Sequence, residues 1–169
     1  MKLIKYKGIF PDIHASVFIA DGAQVIGDVK IGPNSSIWFN CVVRGDVNNI
    51  IIGQNTNIQD NSVIHVSSTG QGTYIGDNVT VGHQVILHAC TIDDESFIGM
   101  QACIMDDVRV HKHAMVAAGA LVTQGTVIPS NELWGGRPAK KMRDLRPEEI
   151  ENIKHSAQHY VRLSKSYSE

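Results

Sequence analysis

The sequence predicts an all-β solenoid, a stack of about seven three-sided coils closed by one C-terminal α-helix. Two observations carry that expectation: an aliphatic anchor every six residues along most of the 169-residue chain, and a change of period after Pro147. The anchors run Ile13, Ile19, Val25, Ile31, Ile37 and Val43, resume at Ile52, Ile58 and Ile64, and resume again at Ile75, Val81 and Leu87. After a one-residue slip they continue as Ile92, Ile98, Ile104, Val110, Val116, Val122 and Ile128, and end at Trp134. A small or β-branched residue often lies four places further on, as at Val17, Ala23, Val29, Ser35, Cys41, Thr56, Ser62, Val79 and Val85. Period six fits neither the 3.6 of a helix nor the two of an alternating strand. It fits a prism whose flat faces each use six residues, with the anchor and the small residue turned inward. A β-sandwich of short strands does not hold a fixed period over such a length.

Three faces make one coil of about eighteen residues, and successive coils stack ~4.8 Å apart, the ordinary spacing of paired strands. Two insertions interrupt the count, three residues around Asn48 to Ile50 and five in the loop from Val66 to Tyr74. After Trp134 the run Gly135-Gly136-Arg137-Pro138-Ala139-Lys140 cannot continue the period. From Pro147 onward Ile150, Ile153, Ala157, Tyr160, Val161 and Ser164 fall at spacings of three and four. That is an amphipathic helix with Pro147 in its first turn and Glu148, Glu149 and Glu151 near its positive end. Its apolar stripe is expected to dock on the outside of the prism or on a neighbouring subunit. The chain thus divides into a six-residue-repeat domain, residues 1–140, and a docking helix, residues 141–169.

Composition narrows the partners. A net charge of −2 and a pI near 6.4 argue against a nucleic-acid footprint, and no apolar run reaches the length of a membrane span. The opening MKLIKYKGIFPD lacks the apolar core of a signal peptide. Cys41, Cys90 and Cys103 make no Cys-x-x-Cys pair and are odd in number, and Cys41 occupies an inward position of the repeat. The expectation is a reduced, cytoplasmic interior.

The repeat also fixes where histidines point. His65 follows anchor Ile64 and His88 follows anchor Leu87, three faces later, so the two share a column one coil apart. Imidazoles stacked at strand spacing can converge on a metal with bonds of ~2.0–2.1 Å. Arg44, after anchor Val43, belongs to the same column one coil earlier. His83 lies five residues before His88 on extended chain, roughly 16 Å away, and cannot readily share a metal with it in one subunit. Packing around a threefold axis would let it meet the His65–His88 pair of another copy. On its own column His83 stacks above Asp60, a carboxylate placed to orient an imidazole. His14, His111, His113, His155 and His159 read as solvated surface residues.

The motifs carrying this geometry are Ser36-Ile37-Trp38, Val43-Arg44-Gly45-Asp46, Thr56-Asn57-Ile58-Gln59-Asp60, Val63-Ile64-His65, Val79-Thr80-Val81-Gly82-His83, Leu87-His88-Ala89-Cys90, Ile98-Gly99-Met100 and Gly136-Arg137-Pro138-Ala139-Lys140. Together they resemble the γ-class carbonic anhydrases, hexapeptide-repeat proteins, and within them the shorter bacterial branch. The resemblance covers almost the whole chain, and it alone supplies the left hand of the coil. It implies a left-handed parallel β-helix assembled as a homotrimer, with metal sites between subunits. It implies Zn²⁺, or Fe²⁺ or Co²⁺, held by His65 and His88 of one subunit and His83 of the next, and reversible hydration of CO₂ to bicarbonate by metal-bound hydroxide. Gln59 matches the residue that orients the nucleophile. Arg44 is expected to pair with Asp46 or Asp60 across the interface, and Tyr160 is a further candidate for reaching the site.

The chain departs from the best-studied type in its acids. Val47 follows Asp46, and the loop from Val66 to Tyr74 carries no carboxylate, where those enzymes use glutamates to move protons. Three alternatives stay open: a hexapeptide acyltransferase, an acyl-CoA thioesterase, or a non-catalytic metal-binding scaffold.

Overall fold

The computed structural model describes residues 2–167. After β1 (Lys2–Ile4) the chain winds upward through β2 (Asp12–Ile13), β3 (Phe18–Ile19) and β4 (Gln24–Ile31), then β5 (Ser36–Ile37) and β6 (Val42–Ile52), then β7 (Asn57–Ile58) and β8 (Val63–His65). Three coils follow: β9 (Thr73–Ile75), β10 (Thr80–Val81) and β11 (Ile86–His88); β12 (Thr91–Ile92), β13 (Phe97–Ile98) and β14 (Cys103–Ile104); β15 (Arg109–Val110), β16 (Met115–Val116) and β17 (Leu121–Val122). The stack closes with β18 (Val127–Ile128), β19 (Glu132–Gly136) and β20 (Ala139–Asp144), and the helix α1 spans Pro147–Ser166. Strands pair in parallel from coil to coil, giving the solenoid of about seven coils that the period predicts. Among the described strands only the closing β19–β20 pair is antiparallel, and it runs through Lys140.

The anchors from Val25 to Ile128 are buried and line one continuous core with the small inward residues. At several corners those small residues carry hydroxyls that stitch coil to coil. Ser35 Oγ donates to the Gly53 carbonyl at 2.7 Å and accepts from the Thr56 amide at 2.9 Å. Thr56 and Ser62 repeat the device one coil higher, donating to the carbonyls of Gly76 and Gly82. Inward polar groups are thereby satisfied, which removes the penalty of burying them. Many corners turn through left-handed backbone three places after the anchor, at Asn34, Asn40, Asn55, Asn61, Asn78, Gln84, Glu95, Gln101 and Asp107. Asparagine tolerates that conformation best of the non-glycine residues, and Asn34, Asn55 and Asn78 form an amide ladder with links of 3.4 and 3.2 Å.

The helix docks on its own prism, along the face that carries β5, β7 and β10. Residues pointing out of that face run in register from Phe18 through Ser36, Asn57, Thr80, Phe97 and Met115 to Leu133. Near the N-terminus of α1, Ile153 packs with Leu133 and Leu145 against Phe97 and Met115. At the other end Tyr160 and Tyr167 close on Trp38, with centroids 5.5 and 5.4 Å away. The expected stripe is the one used: Ile153, Ala157 and Ser164 are buried. No helix among the described residues is long and apolar enough to cross a membrane.

The corner geometry makes a stability test. Asn55→Gly keeps the positive φ and loses only the amide links, whereas Asn55→Ala adds left-handed strain. The alanine variant should be less stable than the glycine variant by about 1 kcal/mol, read from urea midpoints at equal slope.

Candidate functional site

Parallel register brings His65 and His88 together as the column count predicts. They are direct partners across β8 and β11, with ring centroids 5.2 Å apart. His83 sits at a different edge of the prism, in the turn between β10 and β11. Among the described residues no three His, Cys, Asp or Glu side chains of one chain gather at a common point.

Each of the three imidazoles faces its own carboxylate. His83 Nδ1 lies 2.7 Å from Asp60, and His88 Nδ1 lies 2.6 Å from Asp106. A carboxylate is an acceptor, so the facing nitrogen carries the proton and Nε2 is left as a lone-pair donor in both rings. His65 differs, meeting Asp46 through Nε2 at 3.0 Å. Asp60 is held in turn by the Phe39 amide at 3.3 Å. This is the donor set and the supporting shell that a metal-binding histidine requires.

Arg44 meets Asp46, one of its two expected partners, within its own chain. The reason is local. Gly45 lets β6 bend at the corner, because a Cβ there would collide with the carbonyl oxygen of Asp28 one coil below. The bend returns the Asp46 carboxylate to Arg44 and His65 together. Partial burial pushes that carboxyl up, but the hydrogen bonds from His65 and Arg44 outweigh it and hold Asp46 below the usual carboxylate range. Asp60, the other candidate partner of Arg44, is engaged by His83.

Gln59 is buried beneath α1 and donates from Nε2 to Asn57 Oδ1 at 3.0 Å. Tyr160 lies on the inner side of the helix, edge-on to Trp38. Burial, and secondarily the charge of Asp60, push its phenol above the ordinary value. Asp106 is the residue that the sequence reading overlooked. The shortened step from Leu87 to Ile92 puts Leu87 in register with Ile104, so a count from anchor to anchor sets His88 over Met105. The carboxylate that reaches His88 is its neighbour.

His111 and His113 likewise meet Asp93 and Glu95, but it is the in-register pair of His65 and His88, with His83 at another edge, that defines a class on this six-residue-repeat prism: the hexapeptide-repeat proteins with a candidate metal centre. The family model for bacterial transferase hexapeptide (six repeats) matches residues 10–45. A probable carbonic anhydrase of Methanocaldococcus jannaschii is 46% identical, the match covering 91% of this chain and 96% of that protein. A mitochondrial gamma carbonic anhydrase 2 of Arabidopsis thaliana is 55% identical over 94% of this chain. The chain spans 59% of the length of that plant relative. The crystal structure of a putative acetyltransferase from Bacillus cereus superposes with a TM-score of 0.96 at 43% identity, covering 98% of this chain and 96% of that one. The chain belongs to the γ-class carbonic anhydrase family, and its coil is the hexapeptide-repeat left-handed β-helix.

Asp106→Ala removes the acceptor that orients His88. Metal affinity, measured by competition with a chromophoric chelator, should fall about 10–100-fold, with assembly unchanged. An unaltered affinity would show that His88 needs no such support.

Proposed function

We propose that the protein hydrates CO₂ reversibly to bicarbonate at a metal centre shared between copies of the chain in a homotrimer. The observation that carries the reading is the in-register His65–His88 pair, 5.2 Å apart, with Asp46 and Asp106 beside it and a third histidine–carboxylate pair at another edge. The donor set fits a divalent ion: three imidazoles, each oriented by a carboxylate. His65 and His88 of one protomer and His83 of the partner subunit would hold it. Zn²⁺ is the first choice, with Fe²⁺ and Co²⁺ accepted by the same ligands. Such an ion would supply Lewis acidity and lower the pKa of water to about 7, a figure whose type example is itself a carbonic anhydrase.

The chain's own residues supply the remainder. Asp60 and Asp106, each accepting from Nδ1, orient the rings of His83 and His88 so that Nε2 is the nitrogen turned to the ion. Asp46 neutralises Arg44 and must yield His65 Nε2 when the ion enters. Gln59 is the orienting group, and Tyr160 raises the apolar wall beside Asp60. The surface for further copies is the face carrying β8 and β11. Its outward row of Val42, Val63, Ile86, Cys103 and Leu121 is in register, with Val63 38% and Ile86 47% exposed. A contiguous apolar row beside a polar site marks an interface. Acyl transfer on the same fold needs one histidine as base and gives no role to three paired ones.

Subunit mixing tests the shared site. A His65→Ala/His88→Ala double variant and a His83→Ala variant should each lose metal, and verified exchange of subunits should partly restore it. No recovery would place the ligands within one chain.

The hydration rate tests the reaction. Val47 stands 48% exposed beside Asp46, where a proton acceptor would be useful, and it offers none. Turnover of the metal-loaded protein should therefore rise with imidazole buffer until it saturates. Val47→Glu should raise the rate at low buffer, a positioned acid or base being worth up to ~10²-fold or more. No hydration at full metal occupancy and any buffer concentration would overturn the anhydrase reading.

A further inference from the structure

A buried chain of hydrogen bonds runs from α1 to Gln59, and the reaction described above leaves its outer members without a role. Thr80 Oγ1 donates to Ser156 Oγ on the helix at 3.1 Å. Asn57 Nδ2 donates to Thr80 Oγ1 at 3.0 Å and to the Val79 carbonyl at 3.3 Å. Asn57 Oδ1 accepts from Gln59 Nε2 at 3.0 Å. Asn57 and Thr80 are 1% exposed and Gln59 is 5% exposed, so no water-filled margin blurs the pattern.

The chain has a direction, and a backbone group sets it. The Val79 carbonyl can only accept, so Asn57 must turn its NH₂ toward it and its Oδ1 toward Gln59. Gln59 must then turn its own NH₂ to Asn57, which leaves Oε1 as the uncommitted end of the amide. Ser156 takes up the Thr80 hydroxyl proton and keeps a Thr80 lone pair for Asn57. Reversing either amide would set acceptor against acceptor in a buried place, where an unmade hydrogen bond is costly. Gln59 sits between Ile58, which anchors it to the core, and Asp60, which holds His83.

We propose that Thr80 and Ser156 are positioning residues that hold the Asn57 amide, and through it Gln59, in the polarity that the Val79 carbonyl sets, so that the site is offered a hydrogen-bond acceptor. This rests on the reading of Gln59 as the orienting group. An acceptor there engages an O–H, of water or of bicarbonate, and gives nothing to a proton-free anion. The polar middle of the docking face acquires a purpose: Asn57 and Thr80 stand where Phe97 and Met115 occupy the equivalent rows above.

The test uses the ¹⁵N-labelled, assembled protein, following side-chain amide exchange of Asn57 and Gln59 with metal content, kcat and KM for CO₂ hydration. Thr80→Val keeps the shape and removes the hydroxyl. It should speed exchange of the Gln59 NH₂ about 10-fold and lower kcat about 10-fold, with KM and metal content unchanged. Thr80→Ser should restore both. Ser156→Ala, at the helix surface where folding is not at stake, should shift both in the same direction by less. Unchanged Gln59 exchange in Thr80→Val, or failure of Thr80→Ser to restore it, overturns the proposal. If the wild-type protein hydrates no CO₂, amide exchange alone decides the positioning claim while the rate decides the function, so the two failures are told apart.

Discussion

Parallel pairing from one coil to the next fixes the position of every functional side chain in this molecule. A residue's place within the six-residue period decides its face and whether it points in or out, and its coil number decides its height. Residues one coil apart then stand at strand spacing without any dedicated loop to bring them together. The pair His65–His88 exists because β8 and β11 share a register, and Asp60–His83 because β7 and β10 do. The anchors enforce that register through burial, since a slip of one place would turn Ile58 and Val81 to solvent and their polar neighbours into the core.

Much of the site was legible in the sequence for the same reason. Counting from anchors placed His65 beside His88 and His83 over Asp60, because the anchors on either side of the loop from Val66 to Tyr74 resume in register. Legibility failed where the step between anchors is itself shortened or bent. Asp106 lies beyond the five-residue step from Leu87 to Ile92, which converts a vertical neighbour into a diagonal one. Arg44 and Asp46 lie at the bend of β6, where extra residues carry the chain round a corner and a count gives height without direction. The left-handed corners at Asn34, Asn55 and Asn78 follow the period faithfully; their amide ladder adds a polar register to the apolar one.

The helix is the other element whose partner the period could not choose. Its stripe announced that a face would be covered, and both the prism and a neighbour were open to it. The outward rows settle the matter by complementarity. Phe18 and Trp38 at the low end meet Tyr167 and Tyr160, and Phe97, Met115 and Leu133 at the high end meet Ile150 and Ile153. Between them the face is polar, and Ser156 falls opposite Thr80. A helix bound by apolar contacts at its ends excludes water from the polar stretch at its middle, which strengthens the hydrogen bonds there.

That division of labour separates stability from chemistry. Core anchors and corner hydroxyls hold the stack, and their positions tolerate little change in volume. The site residues all project outward, at edges or under the helix, where the same backbone accepts many side chains. One such prism can therefore serve different chemistries according to what its edges carry. In this chain they carry His65, His83 and His88, each with its carboxylate, and a buried amide whose polarity is set by a backbone carbonyl that cannot turn. Under the proposed reading a cation would take the place of Asp46 at His65 Nε2 and meet His83 of a second copy, exchanges of side chains that leave the coils beneath as they are.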